Sequence, residues 1–500
     1  MKDSSFSHLD SHLTLFSLFF FCSKHHNIAL GTLYAYQNAI KLAKSLYSID
    51  LEAGLKDGSL SIGLYHTAGK GTRLAPLPGA ENNNKPGVKL AATVKIGGED
   101  APVTILEGVI KQTGCYASSR KGRLSVFWGD QIFIPSTDVS YTPGYHADIL
   151  CSLGPMMSAE EWTAKGMDKY GLIVQTESGQ GAQVEKVSHA TALELLSHLD
   201  AIKAVGTSLG SFSVSCALLE VFMVEFSAEL SAKKGKLDSD PHLWMPMTLE
   251  KTAYISVMAK KQVSEEESAA HYDRIEAMMA KFNAVEENTS MGIFGPVDVG
   301  SVVSWWDYGQ LKLYQASSKL MFSESLDGKL MREFFGFMNY GSSSGANVSA
   351  DSKVSKDTTV DNISYVVGSD LGSGTVSKSV VNNVKCTSIE AEDCVLINVT
   401  CRSLKAKKGA IVYNVCIDDD IDMTEEAVIC GVTTATGDNA AQIIMKSAMS
   451  IDGGKVWDEK VEGNSYDYAG IYALNADADP LTLERMNKTM HADMWGTITK

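Results

Sequence analysis

Apolar and polar positions change rhythm several times along the 500 residues of this chain. Residues 30–57 place Ala35, Ala39, Leu42, Ala43 and Leu46 near one stripe, which predicts a helix. Ser59 to Tyr65 is a short apolar run of strand type, and a Gly-rich turn follows it at once. Val103 to Ala117 reads as a helix, and Leu124 to Trp128 as a second buried strand ending in Gly129-Asp130. Tyr170 to Val174 and Ala182 to Val187 read as a strand pair joined by Ser178-Gly179-Gln180-Gly181. Residues 264–286 are strongly helical. Strand-then-helix units predict an α/β domain with a mostly parallel sheet over residues 58–340, preceded by a helical segment at 1–57. A helical insertion is expected at about 215–300, with Asp240-Pro241-His242-Leu243-Trp244-Met245-Pro246 at its centre.

Beyond a small-polar linker, Gly341 to Ala350, the rhythm shortens. Val384, Ile389, Cys394, Val399 and Leu404 recur every five residues, and a one-residue slip then gives Ala410 and Val415. Such a repeat suits a β-solenoid over residues 345–455, where each short strand places one side chain inside the coil. An antiparallel sandwich is the alternative; the absence of Asn-Gly hairpin turns favours the solenoid. Side chains alternate along a strand, so Val395, Leu396 and Ile397 cannot all point inward. Their outward apolar surface has to be covered by the rest of the chain or by a second copy, and a homo-oligomer through residues 345–455 is one expectation. Residues 456–500 form a tail with a final helix around Leu481 to Met490.

Composition narrows the function classes. Acidic residues outnumber basic ones 60 to 44, for a net charge of −16. Such a chain is a poor general partner for nucleic acid or an anionic membrane. A polyanionic substrate must therefore meet local positive groups or metal ions. Nine cysteines without CxxC pairs suit reduced thiols in a cytoplasmic protein, and no zinc pattern is present. Leu13 to Cys22 is an apolar run too short to span a bilayer. A secretory signal, a buried segment and a misassigned chain start are all open readings of it. Sites of the N-x-Ser/Thr type at Asn288, Asn347, Asn362, Asn398 and Asn487 carry little meaning without such a signal.

The segment richest in chemistry is Ala68-Gly69-Lys70-Gly71-Thr72-Arg73-Leu74, followed by Lys85-Pro86. Glycines let the backbone turn tightly enough for several N–H groups to face one phosphate chain. Arg73 adds a permanent phosphate donor. The segment is neither a Walker loop, which needs Gly-Lys-Ser/Thr, nor the dinucleotide fingerprint.

With its downstream Asn84-Lys85-Pro86, this stretch resembles the signature of the sugar-1-phosphate nucleotidyltransferases, the group of glucose-1-phosphate adenylyltransferases and mannose-1-phosphate guanylyltransferases. Four further pieces follow in the family's order over about half the chain. They are Phe127-Trp128-Gly129-Asp130, Glu185-Lys186, Leu209-Gly210-Ser211-Phe212 and Trp305-Trp306-Asp307-Tyr308-Gly309-Gln310. The resemblance implies a Rossmann-like catalytic domain followed by a left-handed β-helix. It implies that Ala68, Gly69, Gly71 and Thr72 bind a nucleoside triphosphate, and that Arg73 and Lys85 assist transfer. It assigns Glu185, Lys186 and Gly210 to a sugar 1-phosphate, and Asp130 and Asp307 to magnesium. Both aspartates are expected to end strands at the carboxyl edge of the main sheet.

The chemistry is consistent with these residue types. An acceptor phosphate must attack another phosphate, anion against anion, and carboxylate-bound magnesium would relieve that repulsion. Each residue also has an ordinary reading: Arg73 and Lys85 as surface charges, Asp130 and Asp307 as helix caps, Glu185-Lys186 as a solvated pair, Trp305 and Trp306 as packing. Asp418-Asp419-Asp420 reads as a solvated turn. The interval from Lys85 to Asp130 holds no recognised base-reading turn, so the nucleotide base is not readable. Two other functions stay open: a sugar-nucleotide-binding subunit without catalysis, and transfer to a non-sugar phosphate.

Overall fold

The computed structural model describes residues 28–500 apart from 68, 97–98, 234, 236, 301–303, 338–346 and 437–438. The Leu13 to Cys22 run, most of the Gly341 to Ala350 linker and Ala68 lie outside the described residues. The chain divides into two units. The first comprises residues up to Leu64, Ala117–Val126 and Ser140–Asp298; the second comprises Tyr65–Tyr116, Phe127–Val139 and Val299–Lys500. No described helix is long and apolar enough to cross a membrane.

The expected helix at 30–57 is two helices. Ile28–Tyr47 ends at Ser48, which takes φ 57, and Leu51–Lys56 starts afresh with Asp50 accepting the Ala53 N–H. An Asx cap in mid-segment favours a new helix over continuation. The helix expected at 103–117 begins later, at Ile105, because Val103 belongs to strand Glu99–Thr104. Thr104 and Glu107 there form a reciprocal capping box.

The central sheet has seven strands, and five of them run in the order Ile62–His66, Arg123–Trp128, Ile202–Ser215, Tyr145–Gly154, Gly292–Asp298. It is mixed, which corrects the expectation of a mostly parallel sheet. Gly292–Asp298 lies parallel to Tyr145–Gly154. The 14-residue strand Ile202–Ser215 runs antiparallel to Arg123–Trp128, to Tyr145–Gly154 and to Gly171–Thr176. For one pair the cause is connection length. Gly171–Thr176 and Gly181–Glu185 are joined by a four-residue turn, which can only return the chain antiparallel; a parallel return needs a crossover of a dozen residues or more. The aromatic side chains Phe212, Phe222, Trp244, Phe282 and Phe294 fill the core of this unit.

The second unit contains a β-solenoid of about five coils. Strands stack in parallel register: Tyr365 on Val380, Val380 on Val395, Val395 on Ile411, Ile411 on Val428. The five-residue recurrence is the coil interior. Val384, Ile389, Cys394, Val399, Leu404, Ala410 and Val415 are all at most 1% exposed. Three such steps make one coil, so Val384 pairs with Val399 and Ile389 with Leu404.

One corner of the coil takes a left-handed backbone, supplied in turn by Gly368, Asn383, Asn398 and Asn414, with φ between 53 and 57. The Asn383 amide donates to Asn398 at 2.9 Å, and Asn398 donates to Asn414. Leu396 joins the interior, whereas Val395 and Ile397 point outward yet are 0% exposed. They pack with Leu90, Ala91, Ala92 and Tyr314 of the same unit. The outward apolar face is thus covered within the chain, and the motive for covering it with a second copy disappears. The last coil ends on the antiparallel strand Asn439–Ala448 and helix Pro480–Ile498. That helix sets His491 against Thr400 at 2.9 Å and Asn487 against Asn414 at 2.9 Å.

Candidate active site

The Gly-rich loop that follows strand Ile62–His66 belongs to the second unit. Gly69 takes φ 103 and Gly71 φ 65, conformations that L side chains resist. A Cβ on Gly71 would also stand 3.0 Å from Cβ of Lys85. Thr72–Leu74 close as a 3-10 turn, with Leu74 buried and Arg73 exposed. Lys85–Gly87 form a second 3-10 turn, with Pro86 buried beneath it. Buried leucine and proline fix the two turns from below, so the neighbouring Arg73 and Lys85 are carried by a packed base.

Lys85 Nζ lies 2.5 Å from Oδ2 of Asp130, and both side chains are about 15% exposed. Asp130 stands in the turn between strands Arg123–Trp128 and Gln131–Ile134. Asp307 ends strand Ser304–Asp307, which pairs antiparallel with Gln131–Ile134 in a separate two-stranded ribbon. This corrects the expectation that both aspartates end strands of the main sheet. The ribbon register, Asp307 opposite Gln131, is what brings Asp307 next to Asp130. Gly309 lies between them: a Cβ there would meet Asp307 Oδ1 at 3.0 Å and Asp130 Oδ2 at 3.2 Å. The Gly309 N–H donates to Asp307 at 2.7 Å, and the Tyr308 N–H to the Asp130 carbonyl at 3.0 Å. Burial raises the Asp307 carboxyl above its usual range and the Asp130 charge adds to this; Gly309, Arg73 and Lys85 oppose it. Inside one unit, Lys85 thus pairs with Asp130, and Asp307 feels the charges of Asp130, Arg73 and Lys85.

Trp306 is buried against Phe334 and Phe335, while the Trp305 indole donates to Gln131 at 3.2 Å. Trp306 is a packing residue. Asp418, Asp419 and Asp420 are exposed, and Asp418 pairs with Arg402.

In the first unit, Glu185 ends strand Gly181–Glu185 and is 5% exposed. Lys186 takes φ 54 and turns its ammonium to Glu185 at 2.7 Å. A Cβ on Gly171 would lie 2.8 Å from the Glu185 carboxylate and 3.3 Å from Ser208. Gly210, with φ 74, donates to the Ser208 hydroxyl at 3.0 Å. The residues assigned to the sugar phosphate thus gather around Gly171.

Sequence reasoning did not single out Asp240 within the insertion. Burial and the Glu185 charge push its carboxyl up to about 7, while Gln183 and Lys186 pull against them. An Asp-Pro opening a helical turn is the only signal for it, and that signal is indistinguishable from an ordinary helix start. Gln112 was passed over as well. It is 3% exposed on helix Ile105–Thr113, and neither amide atom has a partner among the described residues.

Among the described residues, no cluster of three or more His, Cys, Asp or Glu groups could by itself hold a metal ion. No protein-family model matches the chain. No curated protein matches it.

Proposed function

We propose that this chain joins a nucleoside triphosphate to a sugar 1-phosphate, releasing pyrophosphate, with magnesium as its cofactor. The observation that carries the reading is that Asp130 and Asp307 converge at Gly309, with Lys85 paired to Asp130 and the Arg73 charge felt by Asp307. On this reading the mixed α/β region is a Rossmann-like nucleotidyltransferase domain, the solenoid is a left-handed β-helix, and the protein works in the cytoplasm.

The donor set fits magnesium. That ion is typically held by one or two carboxylates together with substrate phosphates, not by an all-protein cage. Asp130 and Asp307 are two carboxylates converging on one point. When bound, magnesium would neutralise phosphate charge and hold it toward the acceptor. The chain's own residues do the rest. The Gly69–Thr72 turn offers backbone donors to the phosphate chain. Lys85, released from Asp130, supplies a compact positive charge to the transferring phosphate. Arg73 takes the departing pyrophosphate in a bidentate grip. Lys186 would meet the acceptor phosphate, and Glu185 would accept hydrogen bonds from sugar hydroxyls. No covalent intermediate with the enzyme is needed; positioning and electrostatics suffice.

Incubation of the folded protein with magnesium and a matrix of triphosphates and sugar phosphates tests the reading. Pyrophosphate release with at least one pair is expected. Silence across the matrix overturns it, and tight binding of a sugar nucleotide without turnover would replace it with a non-catalytic binding subunit.

A further inference from the structure

The C-terminal segment reaches the Gly-rich loop of the same unit. Lys70 Nζ stands 5.4 Å from the ring centroid of Trp457 and 5.3 Å from that of Tyr472. Lys70 lies between Gly69 and Gly71, the two residues of positive φ, and is itself exposed. A second tie comes from Gly453 and Gly454. A Cβ on Gly453 would lie 2.4 Å from the Thr72 carbonyl, and one on Gly454 3.3 Å from Arg73 Cγ. A side chain at 453 would collide with the Thr72 backbone, so glycine there lets the turn press on the loop, and Gly454 adds a close approach to the Arg73 side chain. A third tie is the Asn83 amide, which donates to the Tyr472 carbonyl at 2.8 Å.

A short loop with two left-handed glycines has many alternative conformations, and a ligand that needs one of them binds more weakly for it. A lysine held by two ring faces restricts that freedom, since a cation over an aromatic face is attracted by the ring quadrupole. The side chain serves as a handle, leaving the backbone and Arg73 to face a ligand.

We propose that residues 452–472 brace the phosphate loop, that Trp457 is the positioning residue of that brace, and that a polyphosphate is the ligand it prepares the loop to bind. The proposal rests on the functional reading above for its ligand and on the contacts just described for the brace. The Trp457 indole nitrogen has no partner among the described residues, so phenylalanine at this position keeps the ring face that matters.

The test uses the full chain with magnesium, hydrogen exchange of residues 69–74, and calorimetry with inorganic pyrophosphate. Trp457→Ala is expected to speed exchange in the loop and weaken pyrophosphate binding roughly fivefold, a modest change suited to one cation–aromatic contact. Trp457→Phe should restore most of both. Lys70→Met, at an exposed position, should repeat the loosening, and the double variant should loosen the loop no further than either single one. Exchange unchanged in both Trp457→Ala and Lys70→Met overturns the brace, as does faster exchange with unaltered affinity. Additive effects in the double variant overturn the pairing of Lys70 with Trp457. If Trp457→Ala fails to fold, Lys70→Met and Trp457→Phe decide the matter by the same two readouts. Failure of the functional reading looks different: the wild type itself then binds no pyrophosphate, and the assignment of the ligand falls with it.

Discussion

Two carboxylates a few ångströms from Gly309 have opposite consequences for the fold. Asp130 is paired with Lys85 in a mostly shielded contact. Asp307 is disfavoured in its charged form by burial and by Asp130. Asp307→Asn should therefore raise the melting temperature at neutral pH while cutting turnover by orders of magnitude. The sign follows from its raised pKa. The folded state favours protonated Asp307, so stability falls as the pH rises from the ordinary carboxyl range through the raised folded value, and the full penalty is present at neutral pH. The gain from Asn should vanish in acid, where Asp307 is protonated in any case. Asp130→Asn removes one half of an ion pair and should lower the melting temperature, with a similar loss of turnover. Equal shifts in both variants would contradict this division of roles, and near-normal turnover in either would remove that residue from the metal site. Asp240 gives a third handle. As the pH rises through about 7 it gains charge beside Glu185. The KM for the sugar phosphate is then expected to rise over that range, and Asp240→Asn should flatten the profile; an unchanged profile removes Asp240 from the sugar site. Sequence alone picked out the glycine, arginine and lysine of the loop, because their signal is local spacing. The Lys85–Asp130 pair and the Asp240–Glu185 pair were out of reach, since each joins residues distant in sequence through a fold not yet known.

At the scale of elements, legibility follows the range of the cause. The solenoid interior was readable because one coil repeats its own pattern: Val384, Ile389 and Cys394 are buried by the same rule as Val399, Leu404 and Ala410. The corner was equally present in the sequence and went unread. Val380-Val381-Asn382-Asn383-Val384, Val395-Leu396-Ile397-Asn398-Val399 and Ile411-Val412-Tyr413-Asn414-Val415 repeat an apolar run, an asparagine and a valine. Asparagine suits that place because it tolerates a left-handed backbone and hydrogen-bonds to the next coil. Strand direction in the α/β sheet was misread for a different reason: apolar runs mark a strand but not which way its neighbour travels. The corner yields a test with separable parts. Asn398→Ala loses the ladder bonds and forces alanine into positive φ, so a destabilisation of about 2–3 kcal/mol is expected. Asn398→Gly loses only the bonds and should cost about 1 kcal/mol. Denaturant unfolding measures both. Equal losses would mean that backbone strain plays no part at this corner.

At the scale of the molecule, the question is what the coils need in order to fold. Their outer apolar residues Val395, Ile397, Ile411, Tyr413 and Val428 are all 0% exposed, packed with Leu90, Ala91, Ala92, Tyr314 and Phe322 of the same unit. Polar bonds seal that contact. The Asn382 amide donates to the carbonyls of Leu90, Ala91 and Ala92 at 3.1, 2.8 and 3.1 Å. The Lys89 N–H donates to the Tyr413 hydroxyl at 2.7 Å, and that hydroxyl donates to Glu81 at 2.5 Å. Elsewhere the coils carry charge pairs such as Glu390 with Lys405 at 2.8 Å. A second copy therefore finds no free apolar face around Val395 and Ile397. Residues 89–92 share one core with the outer face of the solenoid, although the sequence separates them by some three hundred positions. A fragment of residues 347–500 would uncover a continuous apolar strip together with an asparagine and a tyrosine stripped of their partners. Exposed apolar patches beyond a few hundred Å2 drive association. The fragment is expected to aggregate, or to bind a hydrophobic dye and melt without cooperativity, whereas the full chain unfolds cooperatively. Light scattering, dye fluorescence and thermal melts on both proteins compare the two cases. A soluble monomeric fragment with a sharp transition would show that the coils stand alone, and that the contact with residues 89–92 is a docking of two finished parts and not one shared core.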